Sequence, residues 1–334
     1  MFTYPEIPSK IIDEIRSCTV AIVVGHVGPD GDCIHSQIAM QKLLQRLGVE
    51  VHLVNAGPFA RKEIKQYEPL FAPHVDKQLY DRNPLVVMVD CSTLDRIGYL
   101  GDEIDGLTLL TIDHHASGSK FGDLSYIVPK SFSTSLCVMQ FYKALEVEMT
   151  YEIADHIFFG LATDTGFLKF IGPYRGETFH LMGELVELGV SPNDIFNRME
   201  GGNSFESQQF LGKLLLRAEP LLEGRLMVVV EAPEDLKEFS ADQRPSDSLY
   251  AHLLGVDDVE VVLYIKFMGE DRWELGLRSS HSSSADVGKI CAQLGGGGHR
   301  KAAGATVTGN LSELKPSLIE TIKSVLEQSP NSYK

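Results

Sequence analysis

Acidic and imidazole side chains recur in this chain where the backbone is expected to turn. They are His26, Asp30 and Asp32 in G-H-V-G-P-D-G-D, then Asp90, then Asp113-His114-His115, then Asp164. Oxygen and imidazole donors suit hard and borderline divalent ions, and no thiolate is needed. Two such ions about 3.5–4 Å apart clamp both the attacking and the leaving oxygen of an in-line displacement. The pattern therefore points to metal-assisted chemistry on phosphate. Asp30 and Asp32 stand two residues apart in a segment whose Pro29 and Gly31 disfavour helix, so an irregular loop is expected there, on which each can serve a different ion. Asp90, at the end of the apolar run 85–89, is the natural carboxylate to share between them. Any one of these acids alone reads equally well as a turn residue or a helix cap. The two adjacent histidines do not, because a single buried imidazole explains only one of them.

The elements that must position these residues are legible in outline. Apolar runs at 20–25, 49–55, 85–89 and 107–112 suit buried parallel strands. Helical spacing is expected over 36–47, with Gly48 as its stop, and over 134–145, 153–163 and 177–188. This order predicts a doubly wound, mainly parallel α/β domain over 1–190, whose ligands gather beyond the carboxyl ends of strands. His26, Asp90 and the 113–115 triplet each follow an apolar run, at those ends. A linker with one helix is expected over 191–218, and a smaller α/β domain over 219–334. Strands are predicted there at 226–230, 259–267 and 273–278, the last alternating as in a half-buried sheet, with helices at 285–294 and 312–327. Gly295 to Gly298, followed by His299, could bring backbone N–H groups close to an anion, although a glycine run by itself is more often a flexible turn.

Composition narrows the function classes. The 334 residues allow two domains with separate cores, and 43% hydrophobic with 23% charged residues is ordinary for a globular protein. A net charge of −16 excludes a surface that grips long duplexes by neutralising phosphates, so a small anion drawn in by bound metal is the expected substrate. Five scattered cysteines, with no C-x-x-C pair, indicate neither a disulfide framework nor a zinc ribbon. No apolar run of membrane-spanning length and no signal-peptide pattern is present, which leads to the expectation of a cytoplasmic protein with no membrane partner.

H-V-G-P-D-G-D at 26–32, V-D-C-S at 89–92, D-H-H at 113–115 and A-T-D-T-G at 162–166 together, and in this order, resemble the four motifs of the DHH phosphoesterase superfamily. The resemblance implies that His26, Asp30 and Asp90 hold one manganese ion, and that Asp32, Asp90, His114 and Asp164 hold a second. Magnesium and cobalt are the alternatives. It further implies that Asp113 orients a ligand from behind, and that His115 touches the substrate phosphate or acts as an acid, so Asp90, Asp113 and His115 form the catalytic set. The family pattern has glycine where this chain has His35; that ring is expected to point away and is given no role.

G-G-G-G-H-x-x-A-A-G at 295–304, preceded by L-R-S at 277–279, resembles the DHH-associated C-terminal domain. By that resemblance Arg278 is a fork for a terminal phosphate with Ser279 beside it, and Gly296, Gly297, Gly298 and His299 line a nucleotide site across a cleft from the metals. The resemblance spans about residues 10–325, and the domain pair is most similar to the NrnA-type group of oligoribonucleases and pAp phosphatases. It implies a hydrolase that releases nucleoside monophosphates from short oligonucleotides and removes the 3′-phosphate of pAp; a homodimer is compatible with it. A phosphodiesterase for cyclic di-AMP or pApA is the nearest alternative, and a non-catalytic nucleotide-sensing module is the alternative of another class.

Overall fold

The computed structural model describes residues 2–91, 93–115, 122–240, 243–280 and 282–327. Ser92, the last residue of V-D-C-S, lies outside them. The chain divides into two compact units, Met1–Gly202 and Asn203–Lys334.

The first unit runs α1 (Ser9–Ser17), β1 (Val20–Val24), α2 (Gly31–Arg46), β2 (Glu50–Val54), α3 (Lys62–Lys65), β3 (Leu85–Val89), α4 (Leu100–Glu103), β4 (Leu109–Asp113), β5 (Leu124–Ile127), α5 (Thr134–Ala144), α6 (Tyr151–Asp164), α7 (Gly176–Glu187) and α8 (Pro192–Glu200). Its five strands pair in the order β2-β1-β3-β4-β5, all parallel. Parallel strands are covered on both faces, which is why β1 and β3 are apolar throughout and why β1, β3 and β4 are fully buried. Ala21 and Val23 face the helical layer of α1, α2, α5, α6 and α7, while Val20, Ile22 and Val24 face Ile97, Leu100 and Ile104. The strand order reverses direction between β1 and β3, so the chain leaves these neighbours towards opposite faces. The residues beyond their carboxyl ends therefore stand at a switch point, where open α/β sheets bind ligands.

One expectation is corrected here. Residues 30–35 are not an irregular loop: α2 starts at Gly31, so Asp32 and His35 lie on the helix. Asp30 is the N-cap, its Oδ1 accepting the Cys33 N–H at 3.1 Å. Gly31 is tolerated at the first helical position because α6 passes against it; a Cβ there would lie 2.4 Å from the Thr163 side chain. His35 is buried and turned towards α6, with Nδ1 2.8 Å from His156 Nδ1 and its ring stacked 4.2 Å from Phe159. Burial holds both imidazoles below their usual range, His156 at about 4, so each is neutral and one donates to the other.

The second unit runs α9 (Phe205–Leu216), β6 (Glu219–Leu221), β7 (Leu226–Val230), α10 (Asp235–Glu238), α11 (Ser246–Leu254), β8 (Val261–Phe267), β9 (Arg272–Ser279), α12 (Val287–Gln293), β10 (Gly297–His299), β11 (Ala302–Thr308) and α13 (Leu311–Glu327). The 191–218 segment thus forms two helices, α8 within the first unit and α9 within the second. The six strands pair as β10-β11-β9-β8-β7-β6, and among these pairs β7 with β8 is parallel and the others antiparallel. Leu275, Leu277 and Leu263 pack on α12 and α13, whereas Val262 and Tyr264 pack on α9 and α11. Among the described residues, no helix is long and apolar enough to cross a membrane.

The contact of α2 with α5 and α6 determines where Asp32 stands. A Cβ on Gly160 of α6 would lie 2.6 Å from Asp32 Oδ1 and 2.7 Å from Ser135 Oγ. Both neighbours are buried and hydrogen-bonded, so neither can swing away. Gly160→Ala should therefore lower stability by about 1–3 kcal/mol in urea unfolding; an unchanged midpoint would contradict this packing.

Candidate metal centre

Strand ends and helix ends converge at the switch point. His26 follows β1 and is nearly buried, its Nδ1 3.0 Å from the Val27 carbonyl. With Nδ1–H donating there, Nε2 is the free donor atom, 3.4 Å from Asp90 Oδ2 and 3.8 Å from Asp30 Oδ1. Asp90 follows β3 with φ +60°, a left-handed conformation that aspartate tolerates better than most residues but at a cost of order 1 kcal/mol. Its Oδ1 accepts from Thr134 Oγ1 at 2.9 Å and lies 3.7 Å from His114 Nε2.

His114 follows β4. Its Nδ1 lies 3.2 Å from the Ser131 carbonyl, which again leaves Nε2 to face the site, 2.9 Å from Asp164 Oδ2. Asp164 is the last residue of α6, so its charge stands at the negative end of the helix dipole, a placement that costs stability unless a cation offsets it. Asp32 is completely buried. Both its oxygens accept backbone N–H groups from the start of α5, Oδ2 from Thr134 at 2.6 Å and Oδ1 from Ser135 at 3.0 Å.

Asp113 ends β4 and is fully buried; its Oδ1 accepts from the His114 N–H at 2.8 Å and from His115 Nδ1 at 2.7 Å. Its side chain therefore reaches His114 only through the backbone, and the ring it orients is that of His115. His115 is 45% exposed, with Nε2 left for another partner. Burial opposes ionisation of Asp113, but the His115 hydrogen bond and charge, together with the His114 and His115 N–H groups, outweigh it and hold the carboxyl below its usual range. The same bond raises the His115 imidazole.

These residues fit divalent ions. Among the described residues, Asp30, Asp90 and Asp164 find their ion-pair partners in histidines rather than in lysine or arginine. The His114 Nε2 is buried without a hydrogen bond of good geometry, as an imidazole aimed at a metal is. Asp32, His114 and Asp164 bring donor atoms within 4.8 Å of one another, as do Asp90, His114 and His115. Sequence reasoning did not single out Thr134, Ser135 and Ser131, which hold Asp32, Asp90 and His114. The run Ser131-Phe132-Ser133-Thr134-Ser135 ahead of an apolar helix is the signal for them, since it is a helix-capping pattern.

In the second unit, one rung of the sheet reads Val262, Arg278, Ala302, His299 across β8, β9, β11 and β10. Directly paired residues share a face, so Arg278 and His299 emerge on the same side. The rung Tyr264, Gly276, Gly304, Gly297 belongs to that side too; Gly276 lies under the Tyr250 side chain, and Gly297 is open. Arg278 lies over the Tyr250 ring, 4.8 Å from its centroid. Ser279, one residue on, takes the opposite face; it is buried and its hydroxyl donates to the Ala285 carbonyl at 3.3 Å. The glycine run leaves a turn at Gly295 and enters the edge strand β10 at Gly297. Gly296 and Gly298 meet packing demands, since a Cβ on either would lie within 2.6 Å of β11, whereas Gly297 has open space.

Comparison with known proteins agrees with this architecture. The DHH family's N-terminal domain matches residues 20–161, and the DHHA1 domain matches residues 226–328. The chain is 28% identical to a bifunctional oligoribonuclease and PAP phosphatase NrnA from Thermus thermophilus, over 92% of this chain and 90% of that protein. An exopolyphosphatase-related protein from Bacteroides fragilis shares the fold, with a TM-score of 0.79 at 20% identity over 98% of both chains. Exonuclease RecJ bound to manganese aligns with a TM-score of 0.54 at 15% identity, over 99% of this chain and 97% of that one.

The metal-free protein has a pH signature. Burial, then repulsion from Asp164 and Asp90, keeps the Asp32 carboxyl well above the usual carboxylate range, and burial also raises Asp164. At His114 burial opposes the charge, but the Asp164 hydrogen bond and the fields of Asp32 and Asp90 outweigh it and lift the ring to about 10. In each case the folded chain keeps a proton that the unfolded chain has released, so stability falls as pH rises from about 4 through about 10. Chelator-treated protein should lose Tm between about pH 7 and pH 9, above the range in which neutral His35 and His156 act in the opposite sense, and saturating divalent ion should flatten that slope by displacing the protons. A metal-free Tm that rises over this window would overturn the charge assignment.

Proposed function

The chain belongs to the DHH family of metal-dependent phosphoesterases, with a DHHA1 domain following the first, and from that premise we propose that it hydrolyses short oligonucleotides to nucleoside monophosphates and removes the 3′-phosphate of pAp. The observation that carries hydrolysis of phosphate is the set of buried Asp32 and Asp90 with half-buried Asp164, gathered with His26 and His114 around shared carboxylate oxygens. His26, Asp30 and Asp90 hold one divalent ion; Asp32, Asp90, His114 and Asp164 hold the other; manganese is the ion we propose. Ions bound there lower the pKa of water and polarise phosphate oxygens, so no separate strong base is required.

The residues themselves divide the remaining work. Val27 and Ser131 carbonyls hold the two ligand imidazoles in the tautomer that leaves Nε2 free. Thr134 and Ser135 N–H groups hold Asp32 rigid, so the site needs no rearrangement as the reaction proceeds. His115, whose protonated form the Asp113 hydrogen bond favours, is placed to present Nε2–H to the substrate phosphate or to the departing oxygen. In the second unit Arg278 and His299, on one rung beside the open Gly297, are suited to a terminal phosphate and its nucleoside.

Preference for short substrates is supported by similarity to the NrnA relative over nine-tenths of both chains, and by an acidic surface that repels a long polyanion. Initial rates with manganese, with and without chelator, should be compared on pApA, a five-nucleotide RNA, an RNA of about two dozen nucleotides, pAp, cyclic di-AMP and pyrophosphate. The short linear RNAs and pAp should lead, and chelator should abolish turnover. Asp90→Asn should cost at least about a hundredfold in kcat, and His115→Ala about 10²–10⁴-fold with bound metal retained. Equal rates on the longest RNA and on pApA would refute the short-substrate reading, and full activity of Asp90→Asn would refute the catalytic one.

A further inference from the structure

Cys33 is the one soft donor turned towards the cluster that the hydrolytic reading leaves without a task. It sits in the first turn of α2, completely buried, three residues beyond Asp30 and one beyond Asp32. Its Sγ, a ring nitrogen of His26 and a carboxylate oxygen of Asp90 all lie within 4.8 Å of one another, and all three side chains are buried. The sulfur is packed down on the backbone that leads to His26, because a Cβ on Gly25 would lie 2.4 Å from it.

The thiol is oriented by a chain of hydrogen bonds. Gln37 gives both amide hydrogens to backbone carbonyls, Val23 and Val54, each at 3.0 Å. Its Oε1 must then face the other way, where it accepts from Asn55 Nδ2 at 3.1 Å and from the Cys33 S–H at a long 3.7 Å. The S–H thus rests on a weak acceptor behind it, while the sulfur faces the same space as a His26 ring nitrogen and Asp90. A buried thiol beside an imidazole and carboxylates has little to offer a reaction on phosphate, but it changes which ion the position prefers.

We infer that Cys33 Sγ is a further ligand of the ion held by His26, Asp30 and Asp90, and that it makes this position select borderline ions such as zinc or cobalt over magnesium. The set becomes one imidazole, two carboxylates and one thiolate, a donor mix that suits zinc or cobalt and that magnesium avoids. On coordination the Cys33 S–H bond breaks, a sulfur–metal bond forms with the sulfur's electron pair, and the proton leaves to water. Nothing is oxidised. The inference rests on the metal-centre reading above.

The experiment uses full-length protein stripped with chelator and titrated with cobalt alone, with zinc and magnesium as competitors, for the wild type, Cys33→Ala, Cys33→Ser and Cys91→Ala. Cys91 is the control, being buried, free and next to Asp90 in sequence. The wild type and Cys91→Ala should develop a sulfur-to-cobalt charge-transfer band in the near ultraviolet, absent from both Cys33 variants. In weakly buffered solution wild type should release one more proton per chain than Cys33→Ala. Zinc affinity should fall roughly ten- to a hundredfold in Cys33→Ala, with magnesium affinity unchanged or improved. Thermal melts of the metal-free variants check folding, and Cys33→Ser keeps the volume should the alanine variant prove unstable. Cobalt binding without the band, or a band that survives in both Cys33 variants, overturns the inference while leaving the metal centre standing. Failure of wild type to bind cobalt at all overturns both.

Discussion

Several carboxylates buried within a few ångströms of one another are the constraint on which the first unit depends. Each buried charge costs several kcal/mol unless it is paired and hydrogen-bonded. Asp32 is fully buried and Asp90 nearly so, and the groups that answer their charge are imidazoles, hydroxyls and backbone N–H groups rather than fixed cations. The start of α5 does most of this, since its first N–H groups carry partial positive charge and would otherwise lack partners. The apolar contacts of α2 make the arrangement sustainable: Ile34, Ile38, Leu43 and Leu44 are buried in the same core, each contributing about 1.5–3 kcal/mol. The remainder of the repulsion is left for divalent ions to relieve, so cofactor binding and fold stability are linked.

Topology explains why the ligands come from distant parts of the chain. Parallel strands place their carboxyl ends at one edge, so the residues after β1, β3 and β4 arrive together although tens of residues separate them. Helices complete the set from the opposite direction, Asp32 from the start of α2 and Asp164 from the end of α6. The site is therefore built on regular elements whose relative positions are set by packing, and both ligand imidazoles are anchored by backbone carbonyls. Such rigidity suits chemistry that depends on aiming fixed charges at a transition state.

The second unit uses the sheet differently. Its largely antiparallel register brings Arg278 and His299 to one face with Gly297 open beside them, while the Tyr250 hydroxyl covers Gly276 on the same side. The same pleat sends Ser279 to the other face, where it serves the core. Glycines 296 and 298, which look in sequence like part of an anion cradle, answer to close packing against β11.

The sequence by itself determined the chemistry. The candidate donors His26, Asp30, Asp32, Asp90, Asp113, His114, His115 and Asp164 could be picked out from type and spacing, because donor atoms are a property of the residue, and apolar runs ahead of three of the motifs placed them at strand ends; the division of ligands among them came from the family resemblance. The alternation in β9 was legible for the same local reason. What only the tertiary structure decided depends on contacts between segments far apart in the chain. Gly31 begins a helix because Thr163 packs against it, Asp32 is tolerated in the core because Thr134 and Ser135 reach it from a hundred residues away, and His35 is occupied because His156 meets it. Cys33 belongs with them: its residue type was visible from the start, but that its sulfur shares a space with His26 and Asp90 follows from the way α2 docks against β1 and β3. Local chemistry can be read along a chain, whereas the cost of burying a charge, and the groups that offset it, exist only once the chain has folded.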